Sequence, residues 1–328
     1  MRKYWLVLMI IMSGPVLSQD FGPEVPVLGK TIFGINGMAV LEVALPSEVS
    51  YNPAAVELAL EVFKEKQYVE MDYGVLDFRS GPLVRNNWQV FLLQLPRGSL
   101  RVARYGIASN NREIAYLGPG PKVEFGGQTI ELSYSRKISS KLFLGLVLIP
   151  SEEIETNISF EGTELVKAKA KSNWHGRLGA LYLLNSHLSL AAVYTYDKIS
   201  AKTQLLPSLT GESAPVDMSA NYREKLWTTG ASWQPAEGTV LFWTWQKGKI
   251  SGPNVSEIID LQAFGAQQFL SRHLCLRIEN NDKVWGYGLT YLSKGWVLGA
   301  SCSKNTYRRT EEYLGRADVT YLWVGKSW

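Results

Sequence analysis

Apolar and polar residues alternate with a period of two along most of the chain beyond residue 66. Between residues 187 and 205, for example, Leu188, Leu190, Tyr194 and Tyr196 share one face, and the opposite face is mainly small or polar. A period of two is typical of a β-strand with one apolar side. The pattern predicts 14 strands, at residues 67–78, 87–95, 99–108, 122–137, 141–158, 165–184, 187–205, 217–234, 239–250, 256–270, 273–280, 283–293, 296–305 and 316–328.

The connections between these strands alternate in length. Tight turns follow the even-numbered strands, at residues 96–98, 139–140, 185–186, 235–238, 271–272 and 294–295. Longer polar loops follow most odd-numbered strands, such as 109–121, 206–216 and 306–315, with a short exception at 280–282. Short turns at one end and long loops at the other are typical of a membrane barrel. The sequence therefore predicts an all-β fold, a transmembrane antiparallel β-barrel of about 14 strands.

A soluble, half-buried antiparallel sheet has the same period and is the alternative. Several predicted strands reach or exceed the roughly 9–11 residues of a tilted membrane strand, whereas soluble strands average about 5–6 residues. Aromatic residues also cluster near the predicted strand ends, as in the two interfacial girdles of a membrane barrel. Those near the tight turns are Trp233, Phe269, Trp296 and Trp328, and those near the other end are Tyr194, Tyr196, Trp227, Trp245 and Trp285.

The first residues have the pattern of a secretory signal peptide. Arg2 and Lys3 precede the apolar run 4–12, and small residues follow near Ser18. We expect residues 1–18 to be a cleaved signal peptide. An uncleaved anchor helix is the alternative, although the run is shorter than the roughly 20 residues that span a bilayer.

Residues 19–66 differ from the rest of the chain and predict a small N-terminal hatch, or plug, ahead of the barrel at 67–328. They are irregular at first and then contain one short helix. Asn52 is a suitable N-cap, Pro53 suits the first helical position, and residues 55–63 favour a helix. We expect this helix to lie in the mouth or the lumen of the barrel.

Composition excludes several classes of function. A formal net charge of +4 without a basic block gives no indication of nucleic-acid binding. The three histidines do not suggest a shared catalytic site, and no cysteine–histidine group has metal-ligand spacing. We expect neither catalytic residues nor a metal or cofactor. Cys275 is expected to face the lumen and Cys302 the lipid, which leaves both thiols free.

The segment that begins at Gly34 reads GINGMAVLEVALPSEVSYNPAAV. A glycine-rich stretch, then Asn52-Pro53-Ala54, then a barrel resembles the FadL family of outer-membrane transport proteins. The resemblance implies a 14-stranded barrel closed by an N-terminal hatch that includes these three residues. It also implies passive transport of hydrophobic molecules, long-chain fatty acids above all. The alternative is that Asn52 serves only as the N-cap of a helix.

This chain departs from the larger members of that family, which capture cargo on extended loops after the fifth and seventh strands. Here the corresponding loops, at 159–165 and 206–216, are short. A broad fatty-acid capture site is therefore in doubt.

The predicted fifth strand is apolar on both faces, at residues 142–149. If its leucines face lipid, then Phe143, Val147 and Ile149 face the lumen, and Phe242 and Phe264 are further candidates for an apolar inner wall. Such a wall suits a hydrophobic ligand. It equally suits packing against the hatch, for which the apolar candidates are Ile32, Phe33, Ile35 and Met38.

The predicted function is outer-membrane transport of a hydrophobic, fatty-acid-like small molecule by passive passage through a plugged barrel. A non-transporting barrel that acts as a scaffold or a protein-secretion partner is the alternative, and a water-filled porin is a third reading. The expected partners are outer-membrane lipid, a hydrophobic ligand and, under the alternative, another protein.

Overall fold

The computed structural model describes residues 52–63, 66–78, 83–109, 112–113, 121–236, 238–253, 256–271, 273–281, 284–304 and 317–328. The predicted signal peptide and the hatch residues Ile32, Phe33, Ile35 and Met38 lie outside the described residues. So do residues 79–82 and 305–316.

The described part of the chain contains two short helices and a single continuous sheet. The helices are α1 (Ala55–Phe63) and α2 (Pro207–Thr210). The strands are β1 (Gln67–Phe78), β2 (Leu83–Leu95), β3 (Gly98–Ser109), β4 (Arg112–Glu113), β5 (Pro121–Lys137), β6 (Leu142–Phe160), β7 (Thr163–Leu183), β8 (Leu188–Leu205), β9 (Val216–Ala236), β10 (Thr239–Ser251), β11 (Ser256–Ser271), β12 (Leu274–Asn281), β13 (Val284–Ser293), β14 (Trp296–Lys304) and β15 (Ala317–Ser327).

The sheet closes on itself as a barrel. β1 pairs with β15 in antiparallel register from Tyr68 opposite Ser327 to Phe78 opposite Ala317. The last rung is completed by Trp328, whose backbone N–H donates to the Gln67 carbonyl oxygen at 3.2 Å. The two-residue β4 pairs with the loop-side end of β5, and the remaining strands form a closed antiparallel barrel of 14 strands. Closure satisfies the backbone groups of every edge, which a bilayer requires. The predicted fold class is confirmed.

The connections define two ends of the barrel. We call the end with the connections β2–β3, β5–β6, β7–β8, β9–β10, β11–β12 and β13–β14 the turn end, and the opposite end the loop end. All six connections at the turn end are short, as predicted. At the loop end, the connection at 159–165 is short, as expected, and is shorter than its predicted bounds, because β6 and β7 pair as far as Phe160 opposite Thr163. Glu161 (φ 49°) and Gly162 (φ 82°) form the tight turn between them, and positive φ at both positions suits a hairpin.

Other boundaries agree with the sequence pattern within a few residues, and helix α1 has the predicted bounds. β2 begins at Leu83, four residues earlier than the predicted start. The single turn of α2 was not predicted. It begins with Pro207 and ends at Gly211, which has the left-handed φ of 74°, as is common where a helix stops.

The outer face of the barrel is a broad apolar belt. Leucines, tyrosines and tryptophans that would be buried in a soluble protein are exposed there, for instance Leu178 at 57% and Leu322 at 52%. Trp233, Trp296 and Trp328 are exposed near the turn end, and Trp227 and Trp285 near the loop end. This is the predicted pair of aromatic girdles around a lipid-facing band. Among the described residues, no helix is long and apolar enough to cross a membrane.

Candidate functional site

The N-terminal helix lies inside the barrel. Residues 52–63, which we call the plug segment, contact the inner faces of β2, β3, β5 and β6. The segment starts as its sequence requires: the side-chain oxygen Oδ1 of Asn52 accepts a hydrogen bond from the Ala54 N–H at 3.1 Å. Ala54, Ala55 and Val56 are fully buried against the wall. The predicted helix therefore lies within the barrel, against its inner wall.

Two wall glycines form the seat of the plug segment. Gly145 on β6 lies directly opposite Gly179 on β7. A Cβ atom built on Gly145 would lie 2.2 Å from the carbonyl carbon of Pro53 and 2.4 Å from the Ala54 nitrogen. A Cβ atom on Gly179 would lie 2.3 Å from Oδ1 of Asn52. We call this pair the glycine notch, since only residues without side chains leave room for the plug backbone there.

Hydrogen bonds to the wall hold the plug segment in the notch. The Ser135 hydroxyl donates to the Ala54 carbonyl oxygen at 3.0 Å, and the Asn52 amide donates to the Ala180 carbonyl oxygen at 3.5 Å. The Glu57 carboxylate accepts the backbone N–H of Lys137. Asn52, Pro53 and Ala54 therefore make specific contacts with three strands, which goes beyond the role of a helix cap.

An apolar part of the wall packs around the plug segment. Phe143 is fully buried in the same hydrophobic cluster as Leu58 and Leu60 of α1 and Leu181 of β7. Phe143 thus packs against α1, whereas the expected packing partners Ile32, Phe33, Ile35 and Met38 lie outside the described residues.

The remaining predicted wall residues fall into two groups. Val147, Ile149 and Phe242 are buried and face inward, as expected. Phe264 does not line the lumen, and this prediction is wrong. It lies opposite Trp243 on the outer face, is 52% exposed, and makes an edge-to-face contact with Trp285.

Charged side chains occupy the middle of the lumen. Glu131 on β5 is fully buried and accepts hydrogen bonds from Arg101 on β3, at 2.9 Å, and from Arg177 on β7. A carboxylate and two guanidinium groups can share a buried site only when they are paired in this way. This network links three strands across the interior, on the loop side of the plug segment.

A second polar cluster lies beside the first. Nε2 of His175 is 3.5 Å from a Glu152 oxygen, and Nδ1 is 3.6 Å from an Asp197 oxygen. The Ser172 hydroxyl contacts His175 at 2.8 Å and also bonds to Asp197. Among the described residues, Glu152, His175 and Asp197 are the group that could hold a metal ion. Because two different ring nitrogens face the two carboxylates, the arrangement fits an imidazolium between carboxylates better than one shared ion.

Sequence reasoning missed both polar clusters. A bulge in β7 interrupts the register between Ser172 and Gly176. Trp174, with φ of 50°, is turned outward and is 71% exposed. The bulge brings Ser172 and His175 to the same face although they are three residues apart, which breaks the period of two. The alternation of faces along β5 and β8 places Glu131 and Asp197 inward, but it does not show which side chains they contact.

The cysteine prediction is confirmed, since Cys275 is buried, Cys302 is exposed and both are free.

No protein-family model matches the chain, and no curated protein matches it. Solved structures do match over most of their length. The toluene transporter TbuX of Ralstonia pickettii is 12% identical with a TM-score of 0.61, covering 87% of this chain and 94% of that chain. The toluene transporter TodX of Pseudomonas putida is 13% identical with a TM-score of 0.57, covering 88% and 95%. A FadL homologue of Pseudomonas aeruginosa is 13% identical with a TM-score of 0.52, covering 86% and 94%.

The chain has the fold of the FadL-type barrels. At these identities the likeness concerns the fold, and it confirms the resemblance that Asn52-Pro53-Ala54 indicated. Together with the closed wall, the apolar outer belt and the two girdles, the FadL-type fold places this protein in a bacterial outer membrane. The matched TbuX and TodX structures are described as toluene transporters.

Proposed function

We propose that this barrel is a passive route for hydrophobic small molecules across the outer membrane, opened by displacement of the plug segment. The observation that carries the proposal is the seat of that segment. The plug is held by close packing in the glycine notch and by a few hydrogen bonds to Ser135, Ala180 and Lys137. It is not a strand of the wall, so it can leave without breaking the barrel.

Apolar side chains at the loop end support a hydrophobic cargo. Val123, Ile158 and Val166 are buried on the inner face there, and Leu205 and Leu209 pack against the same cluster. Leu209 belongs to α2, which contacts β7 at the rim. An apolar mouth suits a ligand that leaves water on entering, and the charged clusters around Glu131 and His175 lie between this mouth and the plug segment.

The chemical class of the cargo is a finer part of the proposal. The fatty-acid-like molecule implied by the FadL resemblance is one candidate. The printed names of TbuX and TodX refer to toluene, which makes a small aromatic hydrocarbon the second candidate. The short hairpin at Glu161 and Gly162 leaves little loop to hold a long acyl chain outside the barrel.

Whole-cell uptake tests the proposal. Initial uptake of radiolabelled toluene, oleate and glucose would be compared in cells lacking the chain and in cells expressing it. We expect faster uptake of at least one of the two hydrophobic compounds and no change for glucose. Faster glucose uptake would indicate a water-filled porin. If cells with and without the chain take up each of the three compounds at the same rate, the result would contradict transport and favour the scaffold alternative.

A further inference from the structure

Four exposed cations lie together on the outer face of the barrel near the loop end. They are Lys198 on β8, Arg223 and Lys225 on β9, and Lys249 on β10. We call them the cationic quartet. They belong to three neighbouring strands and are separate from the lumen, since Asp197 and Glu224, their neighbours in sequence, are buried on the inner face.

The strand register sets these cations directly against one another. Lys198 is opposite Arg223, and Lys225 is opposite Lys249. Directly opposed side chains have Cβ atoms roughly 4.5–5.5 Å apart, and like charges at such positions destabilise a sheet. Among the described residues, no ion pair joins a member of the quartet to a carboxylate. Two like-charged pairs side by side on one surface indicate a site that an anion completes.

The depth of the quartet in the membrane narrows the identity of that anion. Lys225 is opposite Tyr196, one rung beyond the pair formed by Tyr194 and Trp227, whose ring centroids are 4.6 Å apart. These aromatic residues belong to the girdle of the loop end, which marks the boundary of the hydrocarbon layer. With a rise of roughly 3.4 Å per strand residue, the quartet begins within one or two residues of that boundary. It therefore lies at the depth of lipid headgroups.

Space for a headgroup continues toward the loop end. A cleft of about 550 Å³ lies beyond the quartet, on β6 to β9. Lys169 and Lys202 line it and are again directly opposed. Lys169 is already paired with Glu153 and Glu155, so this rung is partly neutralised, unlike the quartet.

We propose that the cationic quartet binds the phosphate groups of the glycolipid in the outer leaflet. The loop end faces that leaflet, because short turns of such barrels are periplasmic. Arginine and lysine are the residues that bind phosphate oxygens. Each opposed pair supplies two cations to one phosphate, the aromatic residues below contact the acyl chains, and the cleft above receives the sugar part.

Native mass spectrometry of the purified barrel tests this with phosphorylated lipid A as the probe. The quartet variant combines Lys198→Gln, Arg223→Gln, Lys225→Gln and Lys249→Gln. The control variant removes the same charge at the turn end, through Lys66→Gln, Arg97→Gln, Arg136→Gln and Lys141→Gln. At about fivefold per surface cation, removal of four cations corresponds to a loss of about 600-fold. We therefore expect the quartet variant to bind lipid A several hundredfold more weakly, and the control variant to bind as the parent does.

Two further measurements make the result decisive. In the first, phosphatidylglycerol replaces lipid A. If the parent protein binds phosphatidylglycerol as tightly as lipid A, the assignment to the glycolipid is overturned. Thermal unfolding is compared in detergent with and without lipid A. We expect the quartet variant to be the more stable protein without lipid A and to gain less on its addition. If the quartet variant binds lipid A as tightly as the parent and is equally stable, the proposal is overturned. If the quartet variant does not fold, the same measurements are made on two double variants, one for each opposed pair of cations.

Discussion

Replacing Gly145 with alanine is expected to unseat the plug segment while leaving the barrel wall intact. The added Cβ atom would lie 2.2 Å from the Pro53 carbonyl carbon, whereas ordinary contacts begin at 3.4 Å. The plug backbone must therefore retreat by about 1.2 Å (3.4 − 2.2) at this point. Because the atoms concerned belong to the backbone of a proline and its neighbour, no side-chain rotation relieves the clash.

The magnitude follows from two losses. Overpacking of a closely packed site costs about 1–3 kcal/mol. The hydrogen bond from Ser135 to Ala54, 3.0 Å long in the parent, contributes about 1 kcal/mol more. Together these two losses lower the free energy that holds the plug segment in the glycine notch by about 2–4 kcal/mol. This corresponds to a roughly 30- to 700-fold smaller ratio of seated to displaced plug segment.

Single-channel recording in planar bilayers measures that ratio directly. The parent should be closed for nearly all of the record, and Gly145→Ala should open often. Gly288→Ala is the matched control, since a Cβ atom on this wall glycine would meet nothing nearer than 3.6 Å. If Gly145→Ala and Gly288→Ala give the same closed record, the plug segment does not depend on the glycine notch and the reasoning is wrong.

Three further predictions concern the lumen and its wall. Glu131→Gln removes the carboxylate between Arg101 and Arg177 and should lower the free energy of unfolding by about 3–5 kcal/mol in urea titrations, whereas Glu155→Gln, at an exposed ion pair with Lys169, should leave it nearly unchanged; similar losses would refute the buried network. Asn52→Ala removes the cap on the Ala54 N–H and should weaken plug seating by about 0.5–2 kcal/mol, seen as more frequent channel openings, with an unchanged record as the contrary result. In folded protein, a lipid-soluble maleimide should label the lipid-facing Cys302 and spare the buried Cys275; rapid double labelling in mass spectra would contradict the assigned faces.

The strands and helix α1 were predictable because their signals are local. Alternation places one apolar side toward lipid in most strands, and the cap at Asn52 with Pro53 starts the helix at the observed residue. The tight turns of the turn end also contain their own signals, such as Gly98, Gly238 and Gly295, which all have positive φ.

Phe264 could not be placed from its own strand. In β11 neither set of alternate residues is consistently apolar: Asp260 and Gln262 share the face of Phe264, while Ala263 and Gln267 share the other. Only the register with β10, where Trp243 lies opposite Phe264, decides which face is outside. That register depends on the neighbouring strand and not on the sequence of β11.

The contacts of the polar interior could not be predicted for a similar reason. The bulge at Trp174 shifts the parity of β7, so that His175 reaches the same face as Ser172. The contacts of Glu131 with Arg101 and Arg177 join residues 30 and 46 positions away in sequence. Such contacts depend on the order and tilt of the strands, which a periodic pattern does not encode.

The central claim is that hydrophobic molecules pass through this barrel only when the plug segment leaves its seat. Cysteines at Ala54 and Ser135, where the Ser135 hydroxyl lies 3.0 Å from the Ala54 carbonyl oxygen, would be joined by a short bis-methanethiosulfonate cross-linker, whose bonds to the two cysteines are reducible, with Cys302→Ala removing the exposed thiol. Whole-cell toluene and oleate uptake would be measured before and after reduction of the locked barrel. We predict that uptake falls to the rate of cells lacking the chain when locked and returns on reduction. Equal uptake in both states, with the cross-link verified by mass spectrometry, would contradict the account.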